Sequence, residues 1–280
     1  MSDIIQLLPD HVANQIAAGE VVQRPASIVK ELLENAIDAG ATKIELIVEE
    51  AGRNLIKVAD NGSGMSETDA RMAFERHATS KIRTTEDIFH IATKGFRGEA
   101  LASIAAVAQV ELKTKKQDAE IGTVIYIEGG ELQFQEPAQT TEGAVFSVKN
   151  LFFNVPARRK FLKSNNIEFR HIIDEFQRVA LAHENLEFSL YHNDEVIFNL
   201  RKGSQMQRIV DIFGRKLHPL LVPIKEDLGW VKLNGFVGKP EAAKKSRGEQ
   251  FFFVNGRYFR SPYLNRAVQE AFEGLLQSNY

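Results

Sequence analysis

The stretch Lys30-Glu31-Leu32-Leu33-Glu34-Asn35-Ala36-Ile37-Asp38-Ala39-Gly40 decides the fold. Leu32, Leu33, Ala36 and Ile37 recur at helical spacing and give one apolar face, while Glu31, Asn35 and Asp38 fall at i, i+4 and i+7 along a second stripe. A carboxylate and a carboxamide one turn apart point at one small volume. That pairing suits metal-assisted hydrolysis, in which Glu31 takes a proton from water and the amide oxygen of Asn35 is a hard ligand for Mg2+. Taken alone, the stripe reads more commonly as a solvated helix face. Pro25 suits a first helical position and Gly40 a stop, so a helix is predicted from about residue 26 to residue 40.

The 280 residues are enough for about two domains, each with its own core. A hydrophobic share of 44% and a charged share of 26% are ordinary for a globular protein. The net charge of -2 gives no global field toward nucleic acid, so any such contact must be local. With no cysteine, a disulfide framework, thiolate zinc sites and a cysteine nucleophile are excluded. No apolar run reaches membrane-spanning length and no charged segment precedes an apolar block at the N-terminus, which predicts a cytoplasmic protein with no membrane partner.

Outward from the anchor helix, a short helix is predicted from Asp10 to Ala17, before Gly19, and strands at 43–49 and 54–59. Asp60-Asn61-Gly62-Ser63-Gly64-Met65 breaks the second strand in a tight turn. A helix is predicted from Ser66 to Ala78, with Asp69 three residues after Ser66 in a capping arrangement. The pattern weakens over 79–94, a predicted mobile segment, and resumes at Gly95-Phe96-Arg97-Gly98-Glu99-Ala100-Leu101, which opens a small-residue helix to about Ala108. Strands near 109–114, 123–128, 131–135 and 144–149 have connections too short for helical crossovers, so they read as antiparallel. A basic helix opening at Asn154, a long helix at 168–183 and strands at 186–192 and 195–200 complete a first domain, 1–202. Arg201 to Gln205 reads as the linker. The second domain, 206–280, is predicted to hold a helix at 206–213, strands near 228–238 and 250–260, and a helix at 262–277.

The common nucleotide motifs are missing: there is no Gly-x-x-x-x-Gly-Lys-[Ser/Thr] loop, and Gly62-Ser63-Gly64 has Glu67 where a dinucleotide fingerprint needs its third glycine. Other parts stand in their place. Asp60, at the end of an apolar strand, can accept a hydrogen bond from an exocyclic amine such as that of adenine, and Gly62 and Gly64 let backbone approach a flat ring. The same residues also read as an ordinary turn. Gly95 to Leu101 puts glycines at a helix start, where unpaired amides and the positive dipole end favour phosphate, or simply makes a tight connection. Thr79-Ser80-Lys81 offers hydroxyls and an ammonium of the kind a closing lid needs, or a polar loop.

Glu31 to Gly40, Asp60 to Gly64 and Gly95 to Leu101 resemble the three signature motifs of the GHKL ATPase superfamily. The narrower likeness, over nearly the whole chain, is to the N-terminal ATPase region of the MutL mismatch-repair family. It is carried by Ile16-Ala17-Ala18-Gly19-Glu20-Val21-Val22 with Arg24-Pro25, by His77-Ala78-Thr79-Ser80-Lys81, by Gly95 through Ile104, by Pro156-Ala157-Arg158-Arg159-Lys160-Phe161 and by Val254-Asn255-Gly256-Arg257. The resemblance implies an α+β fold. A GHKL-type sandwich, with helices layered on a mixed, mostly antiparallel sheet, would be followed by a smaller, truncated α/β domain resembling the second domain of a ribosomal protein.

For the site, the resemblance implies Glu31 as general base and Asn35 as the Mg2+ ligand. Asp60 would recognise the adenine amine, with Gly64 and Met65 in that pocket. Asp38, Thr79, Ser80, Lys81, Gly95, Phe96, Arg97, Gly98, Glu99, Ala100 and Leu101 would complete the nucleotide site. It further implies ATP and Mg2+ as cofactors, an ATP-dependent homodimer acting as a clamp on DNA, a MutS-like mismatch-recognition protein, a downstream nuclease or helicase, and a place at the nucleoid. Family members continue past the last predicted helix and bring in a later lysine at the γ-phosphate. The chain to Tyr280 is therefore expected to bind ATP better than it hydrolyses it. A topoisomerase ATPase region is the alternative within the superfamily, and a non-catalytic DNA-binding scaffold the alternative outside it. Arg158-Arg159-Lys160 with Lys163, and Lys239 with Lys244, Lys245 and Arg247, are candidate phosphate contacts or solvated charge. The 7 scattered histidines suggest no zinc site, and Phe251-Phe252-Phe253 reads as core.

Overall fold

The structure is a computed structural model and describes residues 7–79, 94–95, 98–244 and 248–276. Pro25 opens the anchor helix, whose first turn needs no amide from it. In chain order the first helices are α1 (Asp10–Val21) and α2 (Pro25–Asp38). Ala26, Ile28, Val29, Leu32, Leu33 and Ala36 make the buried stripe of α2, and Gly40, with φ +74, turns the chain away. The first helix runs through Gly19 to Val21 rather than stopping at Ala17. Its last turn is held by burial of Ala18 and Val22, which outweighs one glycine's poor helix propensity.

The strands β1 (Lys43–Glu49) and β2 (Leu55–Asp60) follow, then α3 (Glu67–Met72) and α4 (Ala100–Val107). Next come β3 (Gln109–Lys115), β4 (Gly122–Glu128), β5 (Glu131–Ala138) and β6 (Gly143–Lys149). After α5 (Pro156–Phe161) and α6 (Asn165–Leu181) the sheet ends with β7 (Glu187–His192) and β8 (Glu195–Leu200). These eight strands form one sheet in the order β5-β4-β3-β6-β2-β1-β7-β8. β1 pairs with β7 in parallel, and the pairs from β1 across to β5 are antiparallel. Alternate residues of the strands, such as Ile44, Leu46, Ile56, Val58, Val110, Leu112, Phe146 and Val148, are buried on one face. This is the layered arrangement expected, with helices on a mixed, mostly antiparallel sheet.

Several boundaries differ from the expectation. α3 spans six residues, not thirteen: Ser66 caps it by accepting from the Asp69 amide at 3.1 Å, but after Met72 the chain turns, and His77 has φ +63. The third strand of the predicted meander, β5, lies at the sheet edge, while β6 inserts between β3 and β2.

By compactness the chain falls into two units, residues 1–176 with 186–199 and residues 177–185 with 200–280. The second holds α7 (Gln205–Phe213), the hairpin β9 (Leu221–Asp227) with β10 (Lys232–Gly238), the hairpin β11 (Phe252–Val254) with β12 (Arg257–Phe259), and α8 (Pro262–Ala271). The single strand expected over 250–260 is thus two, because Asn255 and Gly256 take φ of +50 and +74 in a tight hairpin turn. β9 was missed, since charged residues at its end and Pro223 obscure any alternation. Arg208, 1% exposed, donates to the carbonyls of Ala180 at 2.8 Å and Arg201 at 3.1 Å, which ties the start of α7 to the end of α6 within this unit.

Candidate functional site

The polar stripe of α2 ends where two distant turns meet it. Both carboxylate oxygens of Asp38 accept from the Lys94 amide, at 2.9 and 3.0 Å, and one also accepts from the Gly95 amide at 3.2 Å. One residue on, the Ala39 carbonyl accepts from the Ser63 amide at 2.9 Å. The C-terminus of one helix therefore gathers the first glycine of the 95–101 motif and the Asp60–Met65 turn. Helix geometry places Asn35 and Glu31 roughly 4 and 10 Å back along the same axis.

The turn after β2 is built tightly. Asn61 accepts from the amides of Thr42 and Lys43, at 2.9 and 2.8 Å, and so pins the turn to the start of β1. Asp60 is 9% exposed and its Oδ1 accepts from the Gly62 amide at 2.8 Å. Burial pushes this carboxyl above the usual aspartate range, against the opposing pull of backbone hydrogen bonds from Gly62 and Ala144. Gly64 has φ +62, and a Cβ there would lie 2.1 Å from the Lys115 carbonyl oxygen, so no other residue fits. The Met65 amide donates at 2.9 Å to the hydroxyl of Thr114, which is fully buried and donates to the Gly143 carbonyl at 2.7 Å.

The start of α4 is equally constrained. Gly98 has φ +62, and a Cβ on it would meet the Ala78 carbonyl oxygen at 2.4 Å. The His77 amide donates to the Gly98 carbonyl at 3.1 Å, and His77 Nδ1 lies 3.5 Å from Glu99 Oε1. Thr79 is thereby one residue beyond a contact with the second glycine motif, while Glu99, Ala100 and Leu101 form the helix start. Ser80, Lys81, Phe96 and Arg97 lie outside the described residues, as does most of the segment predicted to be mobile.

Glu31, a quarter exposed, has Oε1 2.9 Å from Lys30 Nζ, and the same ammonium lies 3.4 Å from Glu34 Oε2. For Lys30, burial works to lower the pKa, but attraction to Glu31 and Glu34 outweighs it and the net shift is upward. Burial raises the pKa of Glu34; Lys30 opposes that rise, and repulsion from Glu31 adds to it. The i, i+4 spacing of Lys30 and Glu34 is the local signal from which this pair is readable in the sequence. No local pattern marks Thr114 and Gly143, because their role depends on strand pairing far along the chain.

The basic stretch at α5 divides. Arg159, Lys160 and Lys163 are exposed, but Arg158 turns inward, donating to the Val22 carbonyl with its guanidinium 4.1 Å above the Phe152 ring. Lys244 pairs with Glu249; Lys245 and Arg247 lie outside the described residues. Among the described residues no group of three or more His, Asp or Glu side chains could hold a metal unaided. Mg2+ held by one protein oxygen, phosphates and water needs no such group. A cavity of about 170 Å3 lies elsewhere, between Asn14, Arg76, Ser103 and Ile125, and borders none of the candidate residues. Among the described residues no helix is long and apolar enough to cross a membrane.

A family model described as "Histidine kinase-, DNA gyrase B-, and HSP90-like ATPase" matches residues 23–142, and one described as "DNA mismatch repair protein, C-terminal domain" matches residues 209–280. The chain is 64% identical to the DNA mismatch repair protein MutL of Christiangramia forsetii and 65% identical to that of Flavobacterium psychrophilum. Each comparison covers 99% of this chain and 45% of the relative. The chain thus spans less than half the length of these relatives. Among solved structures, the Aquifex aeolicus MutL ATPase domain complexed with ADP matches with a TM-score of 0.69 and 27% identity, over 89% of this chain and 88% of that one. The N-terminal domain of a DNA repair protein shares the fold, with a TM-score of 0.81 and 24% identity, over 95% and 84% of the two chains.

Proposed function

This chain belongs to the MutL family of DNA mismatch-repair proteins, as its ATPase region, and from that premise we propose that the end of α2 holds ATP between the Asp60–Met65 turn and the Gly95–Leu101 turn. The observation that supports this reading is the pair of links, from the Lys94 and Gly95 amides to Asp38 and from the Ser63 amide to the Ala39 carbonyl, by which both turns are tied to the end of α2. Similarity to a domain that binds ADP supports it.

In this reading Asp60 accepts from the adenine amine, with Gly64 and Met65 beside the ring. Gly95, Phe96, Arg97, Gly98, Glu99, Ala100 and Leu101 present amides and a positive helix end to the phosphates, and Thr79, Ser80 and Lys81 close over them. Asp38 serves by fixing the glycine turn through its own hydrogen bonds. Glu31 takes the proton of the attacking water as the γ-phosphoryl group leaves for that water, giving ADP and phosphate; the Lys30 ammonium lies 2.9 Å from its Oε1. Asn35 is the protein ligand for Mg2+, which when bound neutralises charge on the phosphates. The donor chemistry fits: one amide oxygen, on the same helix face as the base, beside a phosphate site.

Beyond this region, the intact protein is a dimer closed by ATP that works as a clamp on DNA at the nucleoid. Exposed Arg159, Lys160 and Lys163 are suited to phosphate contacts without regard to sequence. A MutS-like recognition protein would load the clamp, and a nuclease or helicase would act after it.

Equilibrium ATP binding and turnover of the wild type, Glu31→Ala and Asn35→Ala test the site. Glu31→Ala should bind ATP as well as wild type and lose about a hundredfold or more in turnover, and Asn35→Ala should lose Mg2+-dependent binding. Turnover unchanged in Glu31→Ala would remove Glu31 as the base.

A further inference from the structure

Arg158 sits in the most basic stretch of the chain, yet it is half-buried and its guanidinium turns back onto the first unit. Its Nη2 donates to the Val22 carbonyl, where α1 ends and three residues before Pro25 opens α2. Its guanidinium lies over the fully buried Phe152 ring. Phe152, with φ +61, donates its amide to the carbonyl of Val107, the last residue of α4, at 2.8 Å, and Asn154 Nδ2 donates to the Ala106 carbonyl at 2.9 Å. Residues 152–158 therefore satisfy the open carbonyls at the C-termini of both α1 and α4.

We infer that Arg158 is a positioning residue for the nucleotide site: by joining the end of α1 to the end of α4, it sets the start and direction of α2, which carries Glu31, Asn35 and Asp38. The inference rests on the ATP reading above. A cation held this way is costly, since Nη1 is buried with no hydrogen-bond partner and burial lowers the side chain's pKa. A DNA-contacting arginine has no reason to bear that cost, and its neighbours Arg159 and Lys160 are exposed. The helices that residues 152–158 join, α1 and α4, also pack against each other, and Gly98 lies at the opposite, N-terminal end of α4. A misplacement of about 1 Å, even from a change remote from the reacting groups, can cost a site about a hundredfold.

The experiment compares wild type, Arg158→Ala, Arg158→Lys and the double variant Arg159→Ala/Lys160→Ala. Three quantities are read at a temperature where circular dichroism shows each protein folded: ATP affinity with Mg2+, affinity for a short DNA duplex at low salt, and amide hydrogen exchange over residues 18–30. Arg158→Ala should bind ATP about tenfold more weakly, exchange faster over those residues and keep wild-type DNA affinity. Arg158→Lys, which keeps a donor for Val22 but lacks the flat face over Phe152, should recover part of the loss. It decides the matter alone if Arg158→Ala does not fold. The inference is overturned if the folded variants bind ATP as wild type does, or if they lose DNA affinity in step with the double variant while keeping ATP. A wild type that fails to bind ATP overturns the ATP reading itself, and this inference with it.

Discussion

Asp60 is a carboxyl that the fold holds at a disadvantage. It is 9% exposed, its pKa is raised chiefly by burial, and the Gly62 amide it accepts from only partly offsets that. A raised carboxyl pKa favours the neutral form in the folded state. Its stabilising contribution is whole below the ordinary aspartate pKa and is lost as pH rises through the raised value. Asn at this position still has an oxygen to accept from Gly62 and is never charged. Asp60→Asn should therefore melt at a higher temperature than wild type near pH 7, with the gain shrinking as the pH is taken toward about 3. The same variant presents an amide N–H where an adenine amine needs an acceptor, and should bind ATP about tenfold or more weakly. Thermal melts across that pH range and an ATP titration check both; a variant less stable at neutral pH would show that burial does not disfavour the carboxylate.

At the scale of elements, two glycines separate packing from propensity. Gly19 lies inside α1 with open space where a Cβ would go, so Gly19→Ala should stabilise the protein by about 0.5 to 1 kcal/mol. Gly64, with φ +62 and the Lys115 carbonyl against it, should lose about 1 to 3 kcal/mol on conversion to Ala. Urea unfolding measures both, and equal effects would contradict the geometry of the turn. Helix α2 was legible in the sequence because its apolar stripe, its first-turn proline and its terminal glycine agree. The sheet strands were legible through their alternation. The length of α3 was not, since its sequence continues in a helical manner through Ala73 to Arg76 while the His77 contact with Gly98, more than twenty residues away, bends the chain. The candidate site was legible as three motifs and not as a place: what joins them is Asp38 bonded to Lys94 and Ala39 to Ser63, and neither pairing leaves a trace in local spacing. Arg158 was read as surface charge because composition cannot tell a guanidinium in water from one stacked on Phe152.

For the whole molecule, a net charge of -2 confines the proposed attraction to DNA to local patches such as Arg159, Lys160 and Lys163. The two compact units divide the roles in the proposed function: the first carries every candidate nucleotide residue, and the second matches the mismatch-repair family model. The central claim is that residues from three separated motifs of the first unit form one nucleotide site. The measurement that meets it most directly is amide hydrogen exchange during titration with ATP and Mg2+. Amides of residues 62–65 and of residues 94–101 should slow together, with one half-saturation concentration, and Asp38→Ala should weaken both responses alike. Protection confined to one of these segments, or reached at two different concentrations, would contradict a single site at the end of α2.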